Sequence, residues 1–170
     1  MRIALKTVLF GLIAAMMFAA CSPDEHKEIG APRNIMGSLA GNWKLIKATQ
    51  VDEPAASKGF PFKEMDITNL FPYTNFQLRL NSGSPGTFTT TPGSSPKIIQ
   101  LTSGTWTVDN PEYPQKITLT SGTTTEVVTL GAYPVGAMNT LKIKVSKYEV
   151  VAPPLVPKLL ISYTYEFAKQ

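Results

Sequence analysis

The chain has 170 residues, of which 43% are hydrophobic and 16% are charged. This length and balance predict one folded domain with a sizeable core and exclude an intrinsically disordered chain. The formal net charge is +4, but the lysines and arginines are scattered rather than clustered into a basic stripe. We therefore expect no nucleic-acid partner.

The first twenty residues have the three parts of a secretory signal peptide. Arg2 and Lys6 give a positively charged start, and an apolar run follows over residues 7–20. That run is too short to cross ~30 Å of hydrocarbon comfortably. Small residues, Ala19 and Ala20, stand directly before the expected cleavage point. Residues 1–20 are therefore predicted to be a signal peptide that is removed.

The only cysteine of the chain is Cys21, which excludes a disulfide within the chain. Residues 18–21, Phe-Ala-Ala-Cys, resemble the lipobox of bacterial lipoproteins. The resemblance implies cleavage before Cys21, acylation of Cys21 with palmitate-type chains, and anchoring in the outer membrane. Several acyl chains would hold the protein firmly, since each buried methylene contributes about 0.8 kcal/mol. The alternative is an ordinary signal peptide followed by an incidental cysteine.

Residues 21–38 are predicted to be a lipidated, flexible tether, because they are polar and carry no periodic apolar pattern. Asp24 and Glu25 resemble an acidic surface-export signal of some Gram-negative lipoproteins. A solvated linker explains them equally well. The face of the outer membrane on which the protein lies, cell surface or periplasm, therefore stays open.

The domain itself is predicted over residues 39–170. Its first strand, residues 42–51, is expected to place Trp43, Leu45 and Lys47 on one face. A long apolar connection follows, in which residues 63–70 are predicted to form a short lid helix between Pro61 and Pro72. So many apolar side chains in one connection must pack on something.

From residue 73 onward apolar residues alternate with polar ones, as in strands that have one buried face. Ser121 to Thr123 predict a tight hairpin turn, and residues 131–138 a loop. The further strands are expected near residues 76–80, 87–91, 103–108, 116–120, 126–130, 140–147 and 159–167, with residues 97–101 a strand or the entry to one.

This pattern predicts eight antiparallel strands, give or take one, joined mostly by short turns. Sequential antiparallel strands remove their exposed edges most simply by closing into an up-and-down barrel. A two-sheet sandwich fits the same alternation and is the alternative.

The arrangement resembles lipocalin-like (calycin-type) bacterial lipoproteins, a family grouped as a domain of unknown function. Gly41-Asn42-Trp43 resembles the Gly-x-Trp of lipocalins, and residues 69–74, 103–106 and 163–167 fit the same layout. The resemblance implies an all-β, eight-stranded barrel whose closed end is plugged by Gly41 and Trp43. It also implies a lid over the open end. The chain departs from the pattern by lacking an arginine on the last strand to stack over Trp43, for which Lys169 is the nearest candidate.

Catalytic chemistry has little support in the sequence. His26 is the only histidine and lies in the tether, so the domain offers no histidine-based triad, acid–base pair or metal site. Asp52-Glu53 and Glu64-Asp66 stand at the two ends of the lid, but solvated loop charges are the more ordinary explanation. We expect no enzyme, no metal and no cofactor.

The lid favours binding instead, because aromatic walls with few polar groups suit an apolar or sugar-like ligand. The candidate ligand-binding residues are Phe60, Phe62, Met65, Leu70, Phe71 and Tyr73. The same side chains fill the top of the barrel as core in an alternative interpretation. Two functions follow: an outer-membrane lipoprotein that binds a small apolar or saccharide ligand under its lid, or a solidly packed interaction module of an outer-membrane protein assembly.

Overall fold

The computed structural model describes residues 35–131 and 139–170. The signal peptide, Cys21, most of the tether and residues 132–138 of the predicted loop lie outside them. Two short helices are α1 (Ile35–Leu39) and α2 (Glu53–Ser57), with a 3-10 helix at Tyr73–Asn75. The strands are β1 (Gly41–Asp52), β2 (Glu64–Asp66), β3 (Gln77–Asn81), β4 (Gly86–Thr91), β5 (Ser103–Val108), β6 (Lys116–Ser121), β7 (Thr124–Leu130), β8 (Thr140–Tyr148) and β9 (Leu159–Lys169).

Eight of these strands close into an antiparallel barrel. From β3 to β9 each strand pairs with the next along the chain, and β1 pairs with β3 on one edge and with β9 on the other. The closing β1–β9 ladder runs from Trp43 opposite Lys169 to Asp52 opposite Ile161. Each of the eight strands thus pairs with a neighbour on both sides, so the predicted barrel is confirmed and the sandwich is not formed.

Strand β2 lies where the sequence predicts the lid helix, so the prediction of a helix over residues 63–70 is wrong. Strand β3 pairs with β1 only up to Lys44, so the far end of that β1 edge needs another partner. Glu64–Asp66 fills it by pairing with residues 49–51. Long-range pairing therefore overrides the local helical spacing. A short helix does follow β1, but it is α2, ten residues nearer the N-terminus.

A β-bulge in β1 also corrects the predicted facing of that strand. Leu45 lies opposite Phe167 while Lys47 lies opposite Glu166, so Ile46 is the extra residue. Before the bulge Trp43 and Leu45 face the core as predicted, and after it the buried residue is Ala48 rather than Lys47. A bulge shifts the side-chain phase by one residue, which a strict period of two cannot represent.

Of two further predicted segments, one forms as expected and one does not. The turn after Ser121 is a tight hairpin as predicted, with Gly122 at φ 57°. Residues 97–101 form no strand, although Ile99 is buried in the core. Their backbone is instead held by the Glu126 carboxylate, which accepts from the Gln100 and Leu101 amides at 2.8 and 3.1 Å.

Helix α1 shortens the predicted tether. The sequence predicts a flexible tether up to residue 38, but residues 35–38 are helical. Ile35 and Leu39 are buried in the same core as the strands. Their apolar side chains stand four residues apart, so one face of a single helical turn carries both. The folded domain thus begins several residues before Leu39.

The hydrophobic core lies inside the barrel. Inward-facing residues alternate with outward-facing ones, as on the buried–exposed–buried pattern of β4. The largest fully buried side chains are Trp43, Phe76, Phe88, Trp106 and Phe167, together with seven leucines and isoleucines. We call the end where β1 begins the closed end, and the opposite end, at Asp52, the open end.

Candidate functional site

The closed end is built around Trp43. Its indole is 1% exposed, and its Nε1 donates to the Leu39 carbonyl at 2.8 Å. Because Leu39 is the last residue of α1, this bond fastens the helix beneath the barrel. A buried tryptophan keeps its N–H satisfied in this way while its ring fills the floor. Trp43 is thus buried at this end of the barrel and joined to α1.

The last strand has no arginine to stack over Trp43. Lys169, at the end of β9, supplies the cation there instead. Its Nζ lies 5.3 Å from the Trp43 ring centroid and donates to the Ser38 carbonyl at 3.3 Å. Gly41 makes room for it, because a Cβ at Gly41 would stand 2.5 Å from the Lys169 Cε. The φ of Gly41 is +150°, which also favours glycine. Gly41, Trp43 and Lys169 thus close the barrel together.

The open end has a layer of stacked tyrosines below it. Tyr165 and Tyr73 are buried with ring centroids 5.8 Å apart, and Tyr163 stacks on Tyr165 at 6.3 Å. Burial raises the pKa of Tyr165, and the neighbouring Tyr73 hydroxyl adds to the effect, so the phenol stays neutral. Tyr73 is therefore part of the core.

A pocket of about 340 Å³, within the range of small-ligand sites, lies at the open end along the β1–β2 pair. Gln50 and Met65 are cross-strand partners, and Gln50 also lies opposite Tyr163. Cross-strand partners share a face, so both side chains belong to the inner surface of the mouth. The pocket lining is Gln50, Asp52, Phe62, Lys63, Glu64 and Met65.

The six predicted ligand-binding residues therefore separate into three groups. Phe62 and Met65 line the mouth pocket, and Tyr73 lies in the core. Phe71 touches Tyr73 edge-on at 5.8 Å but stays more than half exposed, as do Phe60 and Leu70. Gln50 lines the pocket but was not predicted to do so. Its side chain faces inward only because of the bulge in β1, which the sequence does not mark.

The lid carboxylates do not form one cluster. Asp52 and Glu64 both line the mouth pocket, and Asp52 also caps α2 by accepting from the Ala55 amide at 2.9 Å. Asp66 accepts from the Thr68 amide at 2.9 Å. An aspartate at the N-cap followed by a proline in the first turn is a helix-start signal. Asp52 and Pro54 form this signal, so the start of α2 could have been predicted from the sequence.

Glu53 points away from the mouth, to the outer wall of the barrel. It accepts from the Ser162 hydroxyl at 2.5 Å and from the Lys144 ammonium at 3.2 Å. The hydrogen bond from Ser162, followed by Lys144, lowers the pKa of Glu53. This contact ties α2 to β8 and β9. Ser162 is 1% exposed, so its hydroxyl lies within this contact and does not face solvent.

The comparison with protein families matches this architecture. A sequence profile for the lipocalin-like domain matches residues 39–132, which is more than half of the chain. The chain belongs to the lipocalin-like domain family. The match begins at Leu39, next to the Gly41-Trp43 floor, and runs through β7. No curated protein and no solved structure shows significant similarity to the chain.

Lipocalin-like domains are generally non-enzymatic binding folds, so this barrel is of a ligand-binding type. Within residues 35–131 and 139–170, no group of three or more His, Cys, Asp and Glu side chains is placed to hold a metal ion. In the same part of the chain, no helix has the length and apolarity needed to cross a bilayer.

Proposed function

We propose that this lipocalin-like protein is a non-enzymatic, lipid-anchored protein of the bacterial outer membrane that binds a small apolar or saccharide ligand at its open end. The observation that carries the binding function is the mouth pocket between β1 and β2. The anchor rests on Cys21 and the lipobox-like residues before it.

The chemistry of the pocket supports a ligand of mixed character. Phe62 is 94% exposed and Met65 half exposed, so both have apolar area to cover. Covering one such side chain contributes about 1.5–3 kcal/mol. Gln50, Asp52 and Glu64 add acceptors, and Gln50 and Lys63 add donors, around the same space. An apolar chain or a sugar ring on Phe62, with polar groups directed to these residues, satisfies both parts of the lining.

The ligand proposed here is small, because an eight-stranded barrel is wide enough only for its own side chains or for one small ligand. Large buried side chains such as Phe76, Phe88 and Phe167 lie inside this barrel. We therefore place the ligand at the mouth, where Phe62 and Met65 are exposed.

The binding test uses one variant that fills the pocket and one that adds the same bulk elsewhere. Met65→Trp fills the mouth, whereas Val127→Trp places the indole on the exposed outer face of β7. The purified full chain is titrated with lauric acid and with maltose by calorimetry. We expect binding of one probe by the native chain and by Val127→Trp, and its loss in Met65→Trp. Equal binding by both variants, or no binding at all, contradicts the proposed mouth site.

A second function has its own observation, the exposed apolar tip of the β8–β9 connection. Val150 is 99% exposed, and Leu155 and Val156 are also largely exposed. Exposed aliphatic side chains grouped on one loop mark protein-contact surfaces. This favours the alternative, an interaction module that docks a partner of an outer-membrane assembly. Chemical cross-linking in intact cells should then yield one partner adduct with the native chain and none with Val150→Ser/Val156→Ser.

A further inference from the structure

A second concave surface lies on the outside of the barrel, near the closed end. It is a groove of about 470 Å³, formed where β1, β3 and β4 run side by side. Its lining includes Trp43 and Leu78, whose side chains are buried in the core, and six exposed polar residues: Asn42, Gln77, Arg79, Thr89, Thr91 and Gln170. We call it the wall groove.

The strand register arranges these polar side chains in order. Asn42 lies opposite Arg79, and Arg79 lies opposite Thr89, so three strands contribute to one row. Gln77 lies opposite Thr91 in the next row. Neighbouring strands are ~4.8 Å apart, and alternate residues along one strand are ~6.8 Å apart. The two rows therefore present donors and acceptors over an area that matches one or two sugar rings.

Among the side chains that line the wall groove, the only charged one is the Arg79 guanidinium. Arg79 donates from Nε to the Asn81 side chain at 3.1 Å, and among the described residues it has no carboxylate partner. The outer part of its guanidinium is thus available to an anion. A planar guanidinium binds a carboxylate through two parallel hydrogen bonds, which a lysine cannot do.

The remaining groups supply recognition of hydroxyls. The side-chain amides of Asn42, Gln77 and Gln170 make no hydrogen bond to other residues in the described part of the chain. An amide offers both donors and acceptors, as a hydroxyl group does, so the two match each other. Thr89 and Thr91 add two further hydroxyls. This is a lining for a polar, polyhydroxylated ligand and differs from the mouth pocket, which exposes Phe62 and Met65.

From these observations we infer that the wall groove is a second binding site and that it takes an acidic saccharide. Arg79 binds the carboxylate of a uronic acid, and the amides and threonines bind its ring hydroxyls. The site lies on the outer wall near Trp43, and the mouth pocket lies at the opposite end of β1. Binding at one is therefore independent of binding at the other.

The test compares an acidic disaccharide with its neutral counterpart. The purified full chain is titrated by calorimetry with digalacturonate and with the matched neutral galactose disaccharide. We expect the acidic probe to bind and the neutral probe to bind about tenfold more weakly, because a hydrogen-bonded ion pair is lost. Added salt should weaken the binding of the acidic probe alone.

Two variants remove the same charge from different places. Arg79→Gln should weaken digalacturonate about tenfold, and Arg79→Lys should recover only part of that loss because the fork geometry is absent. Lys116→Gln removes an exposed cation from β6, two strands from the groove, and should leave the affinity unchanged. Equal affinity for the two sugars, an unaffected Arg79→Gln variant or no binding of digalacturonate at millimolar concentration overturns the inference. Circular dichroism verifies that each variant is folded.

Discussion

The Nζ of Lys169 lies 5.3 Å from the centre of the Trp43 ring, and their backbones face each other across the strand pair that closes the barrel. A cation over an indole is stabilised by the ring quadrupole. The same ammonium donates to the Ser38 carbonyl of α1. One side chain therefore joins the last strand, the first strand and the N-terminal helix.

We expect Lys169→Met to lower the free energy of unfolding by about 1 kcal/mol, since a cation–π contact of an exposed lysine and a hydrogen bond are lost. Lys169→Arg should retain most of the stability, because a guanidinium also stacks on an indole. Urea unfolding followed by tryptophan fluorescence measures both variants. Lys116→Met, on the exposed wall of β6, is the control. Equal losses in the two methionine variants would show that Lys169 does not act through Trp43.

Gly41→Ala tests whether the glycine exists to admit the lysine. The added methyl group would meet the Lys169 Cε, and alanine is strained at a φ of +150°. We expect a loss of about 1–3 kcal/mol, part of which comes from displacing Lys169 from the ring. In a double-mutant cycle, Gly41→Ala should therefore cost less in the Lys169→Met background than in the native chain. Strict additivity in urea unfolding would mean that only the backbone strain matters.

Glu53 gives the fold a pH dependence of known sign. The hydrogen bond from Ser162 and the nearby Lys144 lower its pKa below the ordinary value of 4.5. A carboxyl with a lowered pKa in the folded state stabilises the protein above its unfolded-state pKa. That contribution disappears as the pH falls through the folded-state pKa.

Glu53→Gln should accordingly be less stable than the native chain at pH 7, by on the order of 1 kcal/mol. The difference should shrink as the pH falls below about 4.5. Urea unfolding at a series of pH values measures it. Glu149→Gln, which removes an exposed carboxylate from the β8–β9 connection, is the matched control. A difference that grows toward acid pH would contradict the assigned contact.

The lipid anchor is tested by Cys21→Ser, which removes the thiol that the acyl chain would join. The variant should leave the membrane fraction and appear in the soluble fraction of fractionated cells. Cys21→Ala should behave alike, since either change removes the sulfur. Retention of both variants in the membrane would contradict lipidation at Cys21.

The closed end of the barrel was predicted from the sequence more accurately than the open end. Alternation along β8 and β9 places Leu141, Ile143, Tyr165 and Phe167 inside, and the structure agrees. Such strands are predictable because one buried face imposes a period of two on local sequence. The expected role of Gly41 and Trp43 came instead from the resemblance of Gly41-Asn42-Trp43 to the Gly-x-Trp of lipocalins.

The open end was less predictable because its conformation is decided by distant residues. Strand β2 exists because β3 leaves part of the β1 edge unpaired, a fact about the lengths of two other strands. The bulge at Ile46 turns Gln50 toward the mouth, and nothing in the local alternation marks it. Phe62 and Met65 line the mouth pocket, whereas Tyr73 is buried beside Tyr165 in the core. The wall groove depends on three strands in register, so no single segment of sequence carries it.

The central claim, that a small ligand occupies the mouth, is tested most directly by native mass spectrometry of the full chain purified from its own membranes. The native chain should carry one additional small-molecule mass, and a Met65→Trp chain prepared in the same way should carry none. Val127→Trp, which adds equal bulk on the outer wall, should keep that mass. A native chain without any bound mass, or a mass that persists in Met65→Trp, would contradict the account.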